Sequence, residues 1–187
     1  MCGMNKNIFG NFKDFDLAFI DTETTGRGFE HEIIEIGVVR ASAFNLSILD
    51  EWEVKIKPKK IEIAEEEALK INHYNPADWE GAIEKCDAMK TFLEKTEGTV
   101  LVAHNLPFDW FYIHKTLNEC GLEPTFWFKG LDTVSLAWLK LRNDPAIKSL
   151  SFRELNDYFG IKNTKPHSAM GDARAVYDLF AKLSELK

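Results

Sequence analysis

Apolar residues change their period along this chain, and the changes mark out its elements. Leu17 to Asp21 (LAFID) is a short apolar run bounded by polar residues, which predicts a buried strand ending at Asp21. Glu32 to Ala41 and Leu46 to Ile56 follow with β-branched, alternating character around a polar turn near Asn45, so three successive strands predict an antiparallel meander. Beyond the basic stretch Lys55 to Lys60 the pattern becomes helical, first in EIAEEEALKI and then over Glu80 to Lys95, where Ile83, Cys86, Met89 and Leu93 share a face. Thr99 to Ala103 (TVLVA) predicts another buried strand. It leads into a helix from about Pro107 to Glu119, with proline suited to the first turn and Gly121 as its stop. Ser151 and Glu154 have capping-box spacing for a helix closing at Gly160. Ala169, Ala173, Val176, Phe180 and Leu183 give one apolar stripe to a last helix from about Ser168 to Leu186.

Strands first, then helices alternating with strands, predict an α/β fold: a mixed sheet, antiparallel meander plus parallel strands, flanked by helices. A chain of 187 residues with 45% hydrophobic content suits one well-buried core. We therefore expect a single domain over residues 1–187, with its core at about 16–184. No run approaches a membrane span, and the N-terminus has no apolar stretch behind a basic head. Cys2, Cys86 and Cys120 are odd in number and lack C-x-x-C spacing. They point away from a disulfide framework or a zinc site, and toward small apolar residues in a reducing compartment. The expectation is a cytoplasmic protein with no membrane partner. Its 23 basic against 30 acidic residues give a net charge of -7, the wrong sign for gripping a long duplex by general electrostatics.

Acidic residues placed against apolar stretches carry the chemistry. Asp21 and Glu23, two apart on a strand, project from one face at its carboxyl end; taken alone they also fit a turn with a solvated acid pair. In the helix from Pro107, Tyr112, Ile113, Thr116 and Cys120 recur three, four, seven and eleven positions after Asp109, so this acid lies in the middle of the buried face. Interaction with the helix dipole, worth roughly 0.3–1 kcal/mol, explains an acid in a first turn but not its inward direction. Asp172 falls on the flank of the last helix's stripe and Asp178 on the solvated side. His167 precedes that helix in KPHS, and an imidazole titrates near neutral pH. His104, at the end of a buried strand, reads as a structural histidine. Buried carboxylates need a compensating partner, and a pair of divalent metal ions would provide one.

The runs Asp21-Thr-Glu23-Thr-Thr-Gly26 and His104-Asn-Leu-Pro-Phe-Asp109, followed in order by His167 and then Asp172 five positions on, resemble the motifs of the DnaQ-like, or DEDDh, 3′-to-5′ exonucleases. That family has a ribonuclease H-like fold, and the resemblance spans about Phe19 to Phe180. Ser168 stands where a tyrosine branch of the family would carry Tyr, so the histidine branch is the match. The resemblance implies that Asp21, Glu23, Asp109 and Asp172 hold two Mg²⁺ or Mn²⁺ ions, which would change the net charge from -7 to -3, with His167 as general base. It also implies substrate contacts from Thr22, Thr24, Asn105 and Phe108, and from His73 in ALKINHY. The expected reaction is release of nucleoside 5′-monophosphates from the 3′ end of single-stranded DNA or RNA, as in the epsilon proofreading subunit of DNA polymerase III. Single-stranded 3′ ends are the implied partners, and a polymerase partner or a homodimer is compatible with the resemblance. The competing reading is a catalytically silent nucleic-acid-binding or interaction module. Retention of all five catalytic positions argues against it.

Overall fold

The computed structural model describes residues 10–186. Its elements run β1 (Asp16–Thr24), β2 (Ile33–Ala41), β3 (Ile48–Lys55), α1 (Glu66–Ile71), α2 (Lys85–Lys95), β4 (Thr99–Ala103), α3 (Leu106–Cys120), β5 (Leu131–Asp132), α4 (Thr133–Leu141), α5 (Phe152–Phe159) and α6 (Ala169–Glu185). The strands form one mixed sheet in the order β3-β2-β1-β4-β5. The first three are antiparallel, whereas β4 runs parallel to both β1 and β5. This is the predicted α/β architecture.

Strand β1 lies mid-sheet and is buried on both faces, which is why its sequence reads as a continuous apolar run. Ala18 and Ile20, with Ile36 and Val38 of β2, pack against Met89 and Phe92 of α2 and Ile113 and Leu117 of α3. Phe19 and Val39 face the other way, toward Met170, Ala173 and Val176 of α6. A third cluster, Ala137, Leu141, Leu155, Leu179 and Leu183, ties α4 and α5 to the outer side of α6. The start of α6 lies directly on β2. A Cβ on Gly37 would come within 2.2 Å of the Ala169 carbonyl oxygen and 2.5 Å of the Met170 nitrogen, so only glycine leaves room for this approach.

Some elements differ from expectation for local reasons. Helix α2 begins at Lys85 rather than Glu80, because Ile83 is drawn into an extended bridge with Ile56. The Ser151 hydroxyl accepts from the Glu154 N–H at 3.3 Å, but the Glu154 carboxylate turns back to the Lys148 N–H at 2.6 Å, so only half of the capping box forms. Strand β5 is two residues long, and Asp132 leaves it to cap α4 by accepting from the Val134 N–H at 3.0 Å. Phe12 and Trp138, large aromatics of the kind that usually pack in a core, are more than half exposed.

The cysteine reading requires correction. Cys86, in the first turn of α2, and Cys120, the last residue of α3, form a disulfide with a Cα–Cα separation of 5.5 Å. Packing of α2 on α3 brings them together, which a sequence separation of 34 does not show. Two of the three cysteines are therefore cross-linked, and cysteine usage no longer argues for a reducing compartment; Cys2 lies outside the described residues. Replacing both cysteines with alanine should cost roughly 2–4 kcal/mol in urea denaturation, because the bond closes a long loop in the unfolded chain. An unchanged unfolding midpoint would show that it contributes nothing.

Candidate active site

The acids meet where β1 ends. Asp21 and Glu23 share the α6 face of β1, and their cross-strand partners on β2 are Gly37 and Glu35. The register shifts between Glu23 and Thr24, a bulge that ends regular pairing at this point. Thr22 points to the opposite face, where its hydroxyl donates to Asp109 Oδ1 at 2.8 Å. Asp109 sits in the first turn of α3 and is 3% exposed. Asn105, in the left-handed conformation (φ 65°), turns the chain out of β4 into that helix, and its N–H donates to Asp132 Oδ1 at 3.0 Å.

Asp172 arrives on the first turn of α6, whose N-cap Ser168 accepts from the Gly171 N–H at 3.2 Å. The Asp172 carboxylate accepts from the His167 backbone N–H at 3.1 Å and from the Asn163 side-chain amide. His167 also adopts a left-handed backbone (φ 62°). Metal-ligating atoms of Glu23, His167 and Asp172 all lie within 4.8 Å of one another.

Burial and mutual repulsion dominate the electrostatics. Burial holds Asp21 well above the usual carboxylate range, and Asp109, Glu23, Asp172 and Glu35 push it further up. Glu23 is raised to about 8 by burial, followed by repulsion from Asp172, Glu35 and Asp109. Asp109 is raised to about 7 by burial despite the opposing Thr22 hydrogen bond. Asp172 is raised by burial against the stabilising His167 and Asn163 contacts. No lysine or arginine of the described residues forms an ion pair with any of these four. Such a group must take up protons or a cation, and a donor set of carboxylate oxygens suits a hard divalent cation.

Two recesses flank the acids. Thr22, Glu23, Thr24 and Phe108 line a pocket of about 170 Å³ with Arg27, Glu65, Ala68 and Asn72. The Asn72 amide donates to the Thr24 carbonyl at 2.8 Å, and the Tyr112 hydroxyl donates to the Gly26 carbonyl at 2.7 Å, which together fix the pocket wall. His73 lies instead on a larger groove of about 1020 Å³, shared with His167, Lys165 and Glu35. Asn105 lines neither recess. His104 lies within hydrogen-bonding distance of the Thr133 hydroxyl at 2.9 Å and stacks on Phe152, and burial lowers its pKa, as suits a structural histidine. Sequence reasoning passed over Glu35 and Asn163. Glu35 did carry a signal, an acid inside the apolar run IIEIGVV; Asn163 carried none.

A mixed sheet with acids gathered at the end of its central strand has the ribonuclease H-like architecture expected from the sequence, and comparison with known proteins identifies the class as exonucleases. Residues 18–180 match the exonuclease family model RNase_T. The chain is 30% identical over 178 residues to the DNA polymerase III subunit epsilon of Treponema pallidum, covering 92% of this chain and 78% of that protein. It is 32% identical over 171 residues to the PolC-type DNA polymerase III of Caldanaerobacter subterraneus subsp. tengcongensis, covering 91% of this chain but only 12% of that polymerase. In fold it is similar to Escherichia coli exonuclease I in complex with a dT13 oligonucleotide (TM-score 0.79, 16% identity, 92% of this chain and 41% of that one). It is also similar to the nuclease domain of 3′hExo, a DEDDh family member, bound to rAMP (TM-score 0.76, 16% identity, 92% and 94%). The chain belongs to the DnaQ-like 3′-to-5′ exonuclease family, and that family implies use of divalent metal.

The raised carboxyls make a prediction about stability. Each binds its proton more tightly folded than unfolded, so the metal-free fold loses stability as pH rises from the ordinary carboxylate range, about 4, toward about 8. Glu23→Gln should raise metal-free stability at pH 8 by about 1 kcal/mol or more and flatten the pH slope, as read by calorimetry in chelator. Identical slopes in the two proteins would contradict this electrostatic account.

Proposed function

We propose that this chain is a metal-dependent 3′-to-5′ exonuclease that removes nucleoside 5′-monophosphates one at a time from single-stranded DNA or RNA. The observation that carries the proposal is the convergence of buried, mutually repelling acids from three separate elements, β1, α3 and α6. Asp21, Glu23, Asp109 and Asp172 are the proposed ligands of two Mg²⁺ or Mn²⁺ ions. Bound there, such ions supply Lewis-acid activation of water and charge stabilisation at the scissile phosphate. His167, exposed beside Asp172, accepts the proton of the attacking water and returns it to solvent.

The smaller recess suits the terminal nucleotide, with Thr22 and Thr24 in its lining and Phe108 offering a ring for a base to stack on. His73 contacts the strand from the groove that also contains His167. The contribution of Asn105 is the backbone turn that aims Asp109. One domain over residues 1–187 carries this activity. The polymerase-associated relatives support a polymerase as a partner, and pairing of two copies is compatible with the same site.

Digestion of matched 5′-labelled single-stranded DNA and RNA, with Mg²⁺, Mn²⁺ or chelator, tests the proposal. A metal-dependent ladder shortening from the 3′ end is expected, and its relative rates give the sugar preference. Asp109→Ala and Asp172→Ala should abolish it. His167→Ala should lose roughly 10²–10⁴-fold and retain weak activity that rises with pH, because hydroxide replaces the missing base. Full activity in His167→Ala would remove the base assignment. No cleavage by the folded wild-type protein would favour the silent binding module.

A further inference from the structure

We propose that Glu35 is a positioning residue, whose carboxylate anchors the first turn of α6 to the sheet and so fixes where Asp172 and His167 meet the acids of β1. The inference rests on the exonuclease reading for its consequence, but the contact itself does not. Glu35 is 5% exposed on β2, opposite Glu23, and its Oε1 accepts from the Ala169 N–H at 3.2 Å. The first N–H groups of a helix have no partner within the helix, and Ala169 is the first residue of α6. The Gly171 N–H is satisfied locally by Ser168, whereas that of Ala169 is satisfied across the fold, 134 residues away in sequence.

Gly37 completes the seat. It shares the face of Glu35 on β2, and its missing side chain lets the Ala169–Met170 backbone rest on the strand. One residue supplies a flat contact and the other a directional bond. Asp172 follows Ala169 by three residues and His167 precedes it by two, and the two are joined by the His167 N–H to Asp172 bond. A shift of this turn would therefore move ligand and base together. An apolar residue would suit the buried strand better, because a carboxylate beside Glu23 and Asp172 is costly even with Lys55 nearby. A local rule broken inside a regular strand, next to the reacting groups, is what a placement role predicts.

Two readouts test it. Amide hydrogen exchange of residues 165–172, measured by mass spectrometry on the metal-free protein, does not depend on turnover. Glu35→Ala should speed exchange there by about tenfold or more, while Glu35→Gln, whose amide oxygen accepts the same bond, should stay near wild type. Gly37→Ala, which lifts the same turn from below, should also speed it. In turnover of a labelled oligonucleotide, Glu35→Ala should lower kcat by about 10²-fold with KM within about threefold, and Glu35→Gln should recover most of the rate. Unchanged exchange in Glu35→Ala would overturn the proposal. So would a Glu35→Gln protein with normal exchange and the kcat of Glu35→Ala, since the charge itself would then be at work. If the wild-type protein cleaves nothing, the exonuclease reading fails while the exchange arm still decides the seat.

Discussion

Like charges buried within reach of one another set the terms for this fold. Asp21, Glu23, Asp109 and Asp172 are held close by backbone that has little freedom to move apart, and Glu35 adds a fifth charge to the same field. Without a cation the arrangement is unfavourable, so each acid is carried by an element anchored elsewhere. Strand β1 is clamped by β2 and β4 and buried on both faces. Helix α3 is fixed by Ile113 and Leu117 in the core and by the Thr22–Asp109 hydrogen bond at its start. Helix α6 is fixed by Ala173 and Val176 along its length and by Gly37 and Glu35 at its beginning. The apolar packing lies toward the middle of each element and the repulsion at its end, so stability is spent where binding and chemistry need it.

Topology decides why that end is the carboxyl end of β1. Strand β4 pairs parallel to β1 only from Asp16 to Phe19, then stops, and the chain turns into α3 level with the acids. On the other side β2 continues past them to the bulge at Glu23. A cleft therefore opens where one neighbour ends and the other goes on, the position at which open α/β sheets gather ligands. Helix α6 closes it from the opposite face, bringing Asp172 and the exposed His167 last.

Much of this was legible in the sequence because it depends on period. Alternation on β1 put Asp21 with Glu23, and the 3.6-residue stripe on α3 put Asp109 inward, where it is buried. The same periodicity separated Asp172 from Asp178, which is exposed. Features that arise only when elements meet were not legible. The Cys86–Cys120 bond depends on how α2 crosses α3, the late start of α2 on a bridge between Ile83 and Ile56, and the Asn163 contact on the path of a loop. Glu35 stands between these cases. Its place in an apolar run marked it as unusual, yet its partner is the backbone of a helix 134 residues later, which no local pattern announces.

The central claim, that these acids are poised for divalent cations, is tested most directly by calorimetric titration of the metal-free protein with Mg²⁺ and Mn²⁺ near pH 7.5. Repeating the titration in buffers of different ionisation enthalpy counts the protons released. With Glu23 raised to about 8 and Asp109 to about 7, binding should release about one proton or more, and fewer in Glu23→Gln. Binding without proton release, or no binding at all, would contradict the account.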